Sequence, residues 1–75
     1  FNAQKKQELE ERNLDTVILL NPKNEEAIYN LAKLKLVKSN YSESKKLVDR
    51  LSSLCKIYCD KANKLKIEIE KSLNK

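Results

Sequence analysis

Two cysteines are the side chains with the clearest capacity for chemistry in this chain. Cys55 and Cys59 stand four residues apart, about one turn of a helix. They cannot complete a zinc site, because the chain has no histidine and no second cysteine pair to supply further ligands. We expect two buried thiols in a reduced compartment, and the alternative is a regulatory or intermolecular disulfide.

The rest of the composition argues against catalysis. Without histidine, neither cysteine has the neighbour that would activate its thiol. Without glycine, the chain has no glycine-rich phosphate loop, and no general base or oxyanion site is evident. We therefore expect no enzyme activity, no cofactor, no metal and no small-molecule substrate.

Positive charge is concentrated in the second half of the chain. The formal net charge is +5, and residues 42–75 hold nine basic and five acidic residues. The acids interleave with the lysines, and two opposite-charge pairs stand four apart, Asp60 with Lys64 and Lys66 with Glu70. A nucleic-acid surface would need an uninterrupted cationic stripe with several arginines. The pattern instead indicates a solvated helix face.

The overall composition favours an all-α globular chain. Hydrophobic residues make up 40% and charged residues 36%, with no glycine and one proline, which fits neither disorder nor a disulfide-framed mini-protein. A chain this short buries only about 60% of its unfolded surface, so we expect modest stability. The start at Phe1, without an initiator methionine, leads us to expect a piece of a longer protein.

Membrane insertion is not indicated by the sequence. The longest apolar run, residues 17–20, is far shorter than the ~18 residues of a membrane span. No signal-peptide pattern opens the chain. We expect no membrane association and a cytoplasmic location.

Two breaks divide the chain into helices. Residues 4–20 show helical spacing of apolar side chains, and Pro22 ends this helix because it forces Asn21 out of the helical region. Asn24 is expected to cap a second helix over residues 25–38, whose broad apolar face indicates burial between neighbours.

The second break falls at Ser39, Asn40 and Tyr41. Asn40, followed three residues later by Glu43, predicts a helix start in which the glutamate reaches back to the cap. Apolar residues then keep a three-and-four spacing through residues 48–73 with neither glycine nor proline, which favours one long or mildly kinked helix. A break at residues 58–61, with Asp60 as a weak cap, stays an alternative.

The residues after Pro22 resemble the tetratricopeptide repeat, a helix–turn–helix unit of 34 residues with the spacing W-x2-L-G-x2-Y…A-x3-F…P. In this chain the family's first-helix positions hold Ile28, Leu31 and Ala32. Its second-helix positions hold Ser44 and Val48. The small residues at 32 and 44 let two helix backbones approach.

The resemblance implies a repeat array. Tyr41 fits the family's usual aromatic before the second helix, and Pro22 would close a preceding repeat with Leu14 in its aromatic position. Residues 4–20 are then the second helix of that repeat, residues 24–56 the hairpin, and residues 57–75 a capping or extension helix within one 1–75 unit. The full set expected to pack is Leu14, Val17, Pro22, Ile28, Leu31, Ala32, Tyr41, Ser44, Val48 and Leu51.

Three positions depart from the family pattern. Lys35 stands where the family prefers tyrosine, Leu51 where a small residue is usual, and Lys56 where the closing proline belongs. The missing proline indicates that the array ends here with a polar-faced terminal helix.

The resemblance also implies a binding groove lined by the first helix of each repeat. Carried onto this chain, the groove offers Glu26, Tyr29, Asn30, Lys33 and Val37. Asn30 and Lys33 suit a carboxylate or a peptide backbone, although ordinary surface residues would look the same. Tyr29 would equally fit packing against a neighbouring hairpin.

We therefore expect a non-enzymatic protein-protein interaction module, an adaptor, scaffold or cochaperone-like piece, whose partner is a peptide tail or helix of another protein. The alternative is a structural module whose C-terminal helix pairs with a partner helix or with a second copy of itself. A basic helical module bound to nucleic acid has the least support.

Overall fold

The computed structural model describes residues 2–73 of the 75-residue chain, and the surroundings of side chains from residue 5 onward. This part of the chain folds into four helices and contains no strand, which confirms the all-α prediction. The helices are α1 (Asn2–Leu20), α2 (Glu25–Val37), α3 (Tyr41–Leu54) and α4 (Cys59–Leu73).

The first turn follows its sequence signals. The Asn21 amide donates to the Val17 carbonyl over 2.8 Å, which closes α1 just before Pro22. The Asn24 side chain accepts a hydrogen bond from the Ala27 amide over 3.1 Å. The predicted turn and the predicted cap of α2 are both confirmed.

The second turn ends α2 in a left-handed residue. Ser39 has φ 61°, its amide donates to the Leu36 carbonyl over 3.0 Å, and the Asn40 amide donates to the Lys35 carbonyl over 2.8 Å. The predicted break is confirmed. The predicted reach of Glu43 back to the cap is wrong, because the Asn40 amide already has a partner, and the Asn40 side chain makes no cap hydrogen bond.

The third connection corrects the expectation of one long or mildly kinked helix. The chain breaks, as in the alternative, but at residues 55–58 instead of 58–61, and α4 begins before Asp60. α3 ends at Leu54, residues 55–58 leave the helical path, and α4 begins at Cys59. A disulfide joins Cys55 to Cys59. Disulfides hold Cβ atoms about 3.5–4.5 Å apart. An α-helix keeps the Cβ atoms of residues i and i+4 about 5–6 Å apart, so the bond opposes a continuous helix.

α2 is the central helix, since α1, α3 and α4 all pack against it. It meets α3 where two small residues face each other, and the Ser44 hydroxyl donates to the Ala32 carbonyl over 2.7 Å in a fully buried contact. The buried hydrophobic residues are Ile18, Ala27, Ile28, Leu31, Ala32, Leu34, Val48, Leu51, Ala62, Leu65 and Ile69.

The residues expected to pack divide into three groups. Leu14 and Tyr41 are half-buried. Val17 and Pro22 are exposed, contrary to expectation. Among the described helices α1 packs on α2 alone, so it buries Ile18 and leaves the face of Val17 uncovered. Pro22 acts on the backbone and needs no packing partner. The other six lie in the buried core, namely Ile28, Leu31, Ala32, Ser44, Val48 and Leu51.

An ionic contact also joins α1 to α2. Glu11 is bound by the ammonium groups of Lys35 and Lys38, the latter over 2.9 Å. The hydrogen bond from Lys35 is the main cause that lowers the pKa of Glu11, and the same bond raises the pKa of Lys35. These are the ion pairs of the described residues, so neither of the charge pairs predicted on α4 closes.

The four described helices form a flat body of about 35 × 33 × 16 Å. None of them combines the length and the apolar character required to cross a bilayer. The packing leaves one side of α2 uncovered, and this side holds the residues of the predicted groove.

Candidate functional site

The exposed side of α2 is the candidate site. Glu26, Asn30, Lys33 and Val37 are exposed along it, with Val37 at 68%, whereas Tyr29 is half-buried. The five residues lie on one helix but do not converge on a single point. Four of them form two groups, Glu26 and Asn30 beside α1 and Tyr29 and Lys33 beside α4, and Val37 belongs to neither.

The group beside α1 borders an open depression of about 270 Å³. Its polar lining residues are Asn24, Glu26 and Asn30, and its apolar lining residues come from both helices. The lining residues are Leu14, Val17, Asn24, Glu26, Ala27 and Asn30. The depression therefore offers amide and carboxylate groups beside a small apolar surface.

The group beside α4 is an aromatic cluster with two cations. The rings of Tyr29 and Tyr58 lie 5.5 Å apart between centroids, tilted by 51°. The Lys33 ammonium lies 5.5 Å from the Tyr29 centroid. The Lys61 ammonium lies 4.8 Å from the Tyr58 centroid and 5.8 Å from that of Tyr29. These distances are in the range of cation–π attraction, so both lysines have a preferred position over the rings.

A carboxylate at the start of α2 fixes the segment that carries Tyr58. One oxygen of Glu25 accepts hydrogen bonds from three successive amides, those of Lys56 at 2.7 Å, Ile57 at 3.1 Å and Tyr58 at 3.1 Å. The amide of Tyr58 is the largest cause that lowers the pKa of Glu25, followed by those of Ile57 and Lys56. The ionised carboxylate therefore ties the α3–α4 connection to α2.

The disulfide brackets the same segment. The Cα atoms of Cys55 and Cys59 are 5.3 Å apart across the bond. Cys55 is half-buried and Cys59 is exposed. The expectation of two buried thiols is therefore wrong, and so is the intermolecular alternative, because the two sulfurs pair within the chain.

Sequence reasoning missed three residues of this arrangement, Glu25, Tyr58 and Lys61. Glu25 is an acidic residue in the first turn of α2, where a helix start favours negative charge, yet its acceptor role depends on amides 31 to 33 residues away. Tyr58 and Lys61 meet Tyr29 across a similar distance in the chain, and no local pattern encodes that contact. The spacing of the two cysteines was the one available signal, because it marks the connection between α3 and α4. Glu25 binds this connection, Tyr58 lies in it, and Lys61 follows it.

No group of three or more histidine, cysteine, aspartate or glutamate side chains is placed to hold a metal ion within residues 2–73. Comparison with protein-family models, with curated proteins and with solved structures finds no match for this chain. A function is therefore inferred from the geometry of α2 and from the sequence resemblance.

Proposed function

We propose that this chain is a non-enzymatic protein-protein interaction module, similar to the tetratricopeptide repeat, that holds a peptide or a partner helix against the exposed side of α2. One observation carries the proposal. α2 is held by all three other helices, and yet Glu26, Asn30, Lys33 and Val37 stay exposed along it. A binding face on a well-held helix loses little conformational freedom when a partner is bound.

The chemistry of the face favours a polar, extended segment over a purely apolar one. Asn30 offers both a donor and an acceptor to a peptide backbone, and Lys33 offers a cation to a carboxylate. Tyr29 adds a half-buried aromatic ring that lies against Tyr58. An adaptor, scaffold or cochaperone-like role fits this mixed character.

The alternative of helix pairing draws less support. Its evidence was the apolar spacing over residues 48–73, and that spacing is divided between two helices that bury Val48, Leu65 and Ile69 inside the chain. Ile67 and Leu73 are the large apolar side chains exposed on the described part of α4. The nucleic-acid alternative gains no observation in its favour.

The cytoplasmic location stays a prediction. A disulfide such as Cys55–Cys59 is typical of oxidising compartments, so its presence weighs towards a secreted or otherwise oxidising environment.

Selection of peptides from a random library on the immobilised chain tests the proposal. We expect enriched peptides whose affinity falls by about tenfold or more in a double variant, Lys33→Glu with Asn30→Ala. A matched double variant away from the face, Lys46→Glu with Asn13→Ala, should keep the affinity, because both residues are exposed on other helices. Equal affinity for all three proteins would overturn the proposal.

A further inference from the structure

We propose that the Cys55–Cys59 disulfide is a redox-controlled clasp, meaning a bond that fixes the α3–α4 connection only while it is oxidised. The oxidised bond holds residues 55–58 out of the helix and keeps Tyr58 against Tyr29. A dithiol reduces the bond and opens the clasp. The clasp depends only on the geometry of the α3–α4 connection. It stands whether or not the exposed side of α2 binds a peptide.

The oxidised and reduced chains allow different backbone conformations at residues 55–58. The disulfide requires a shorter Cβ separation than a helix gives to residues four apart. Once the bond is open, residues 55–58 contain no glycine or proline to oppose a helix. Cys55, Tyr58 and Ala62 also continue the apolar spacing of α3. Reduction therefore removes the covalent reason for the break.

A second support is competition for three amides. The amides of Lys56, Ile57 and Tyr58 now donate to Glu25. In a continued helix they would donate to the carbonyls of residues 52, 53 and 54 instead. The two arrangements exclude each other. The disulfide favours the Glu25 arrangement. After its loss the half-buried carboxylate of Glu25 competes alone with the helix, and the three amides become open to water as they change partners.

The change is confined to the connection. Straightening the whole of α3 and α4 would expose Ala62, Leu65 and Ile69, which are 0%, 3% and 1% exposed. The burial of these apolar side chains outweighs the small net gain of hydrogen bonds in one extra turn. Reduction is therefore expected to loosen residues 55–58 and the contact of Tyr58 with Tyr29, while α4 stays packed.

The redox step is ordinary thiol–disulfide exchange. A thiolate of the dithiol attacks the exposed Cys59 sulfur, and Cys55 leaves as a thiolate. The second thiol of the reagent then forms its own disulfide and releases Cys59. Two electrons pass to the protein, the reagent is oxidised, and each cysteine sulfur takes up one proton.

Amide hydrogen exchange of the 75-residue chain, with and without dithiothreitol, tests the clasp. We expect protection of the Lys56, Ile57 and Tyr58 amides to fall by about tenfold or more on reduction, as expected for local opening. The amides of Leu31 and Ile69, inside α2 and α4, should keep their protection.

A double variant, Cys55→Ser with Cys59→Ser, provides the control. Its three connection amides should exchange as fast as those of the reduced chain, and dithiothreitol should have no further effect. Two results would overturn the proposal. One is equal protection of the three amides in the oxidised and reduced wild-type chain. The other is a parallel loss at Leu31 and Ile69, since the bond would then support the whole fold.

Discussion

At the scale of single residues, Ser44 and Ala32 set the distance between α2 and α3. The Ser44 hydroxyl reaches the Ala32 carbonyl over 2.7 Å, and both residues are 0% exposed. A side-chain donor this close to the backbone of the facing helix requires that both side chains be small. Larger neighbours, Ile28, Val48 and Leu51, are fully buried around the crossing.

Glu25 makes the stability of the fold depend on pH. Its pKa in the folded chain lies below the ordinary value of 4.5, because three amides favour the ionised form. The stabilisation is therefore present above about pH 4.5 and is lost as the pH falls through the lowered pKa of the folded state. Urea unfolding at a series of pH values should show this loss in the wild-type chain and a smaller loss in Glu25→Gln.

Glu26→Gln is the matched control for that series. Glu26 is the next residue on α2, and its side chain is exposed and accepts none of the three amides. Its variant should retain the pH dependence of the wild-type chain. If Glu25→Gln and Glu26→Gln lost stability equally over the acidic range, the role of Glu25 would be refuted.

At the scale of elements, α1 is attached through a narrow contact. Ile18 is 8% exposed against α2, while its neighbour Leu19 is 81% exposed. Ile18→Ala should lower the free energy of unfolding by about 2 kcal/mol or more. Leu19→Ala should change it by no more than about 0.5 kcal/mol. Denaturant titration of both variants measures the difference, and equal effects would contradict this placement of α1.

Helix boundaries with local causes were predictable from the sequence. Pro22 excludes a helical conformation before it, and Asn24 has a side chain that accepts the bond seen at the start of α2. The burial of α2 between neighbours followed from its broad apolar face. The break at Ser39 was also predicted, but its left-handed backbone was not, because serine carries no strong preference for that conformation.

The third connection and half of the candidate site had no local cause. Residues 55–58 contain no glycine or proline, and what ends α3 is a covalent bond together with a carboxylate more than 30 residues away. The meeting of Tyr29 with Tyr58 depends on the same connection. The spacing of apolar residues in one sequence reports neither a disulfide nor a contact between distant residues. It therefore favoured one long or mildly kinked helix and did not predict that Tyr58 lies beside Tyr29.

In the whole molecule, α2 is the helix on which the others pack, and the apolar face of α4 is buried inside the fold. Because Leu65 and Ile69 face the core, these two positions of the apolar spacing in α4 are not available for self-pairing. Sedimentation velocity over a wide range of concentration should show a monomer. Growth of the mass with concentration would favour the helix-pairing alternative over a monomeric binding module.

α2 and α3 meet through small side chains, and this contact makes α2 the packed centre of the molecule. Urea unfolding of Ala32→Leu against Lys33→Leu tests it most directly, because the two adjacent positions receive the same side chain. We predict that Ala32→Leu loses about 1–3 kcal/mol by overpacking. Lys33→Leu, at an exposed position, should stay within about 0.5 kcal/mol of the wild-type chain. An Ala32→Leu variant as stable as Lys33→Leu would contradict the account.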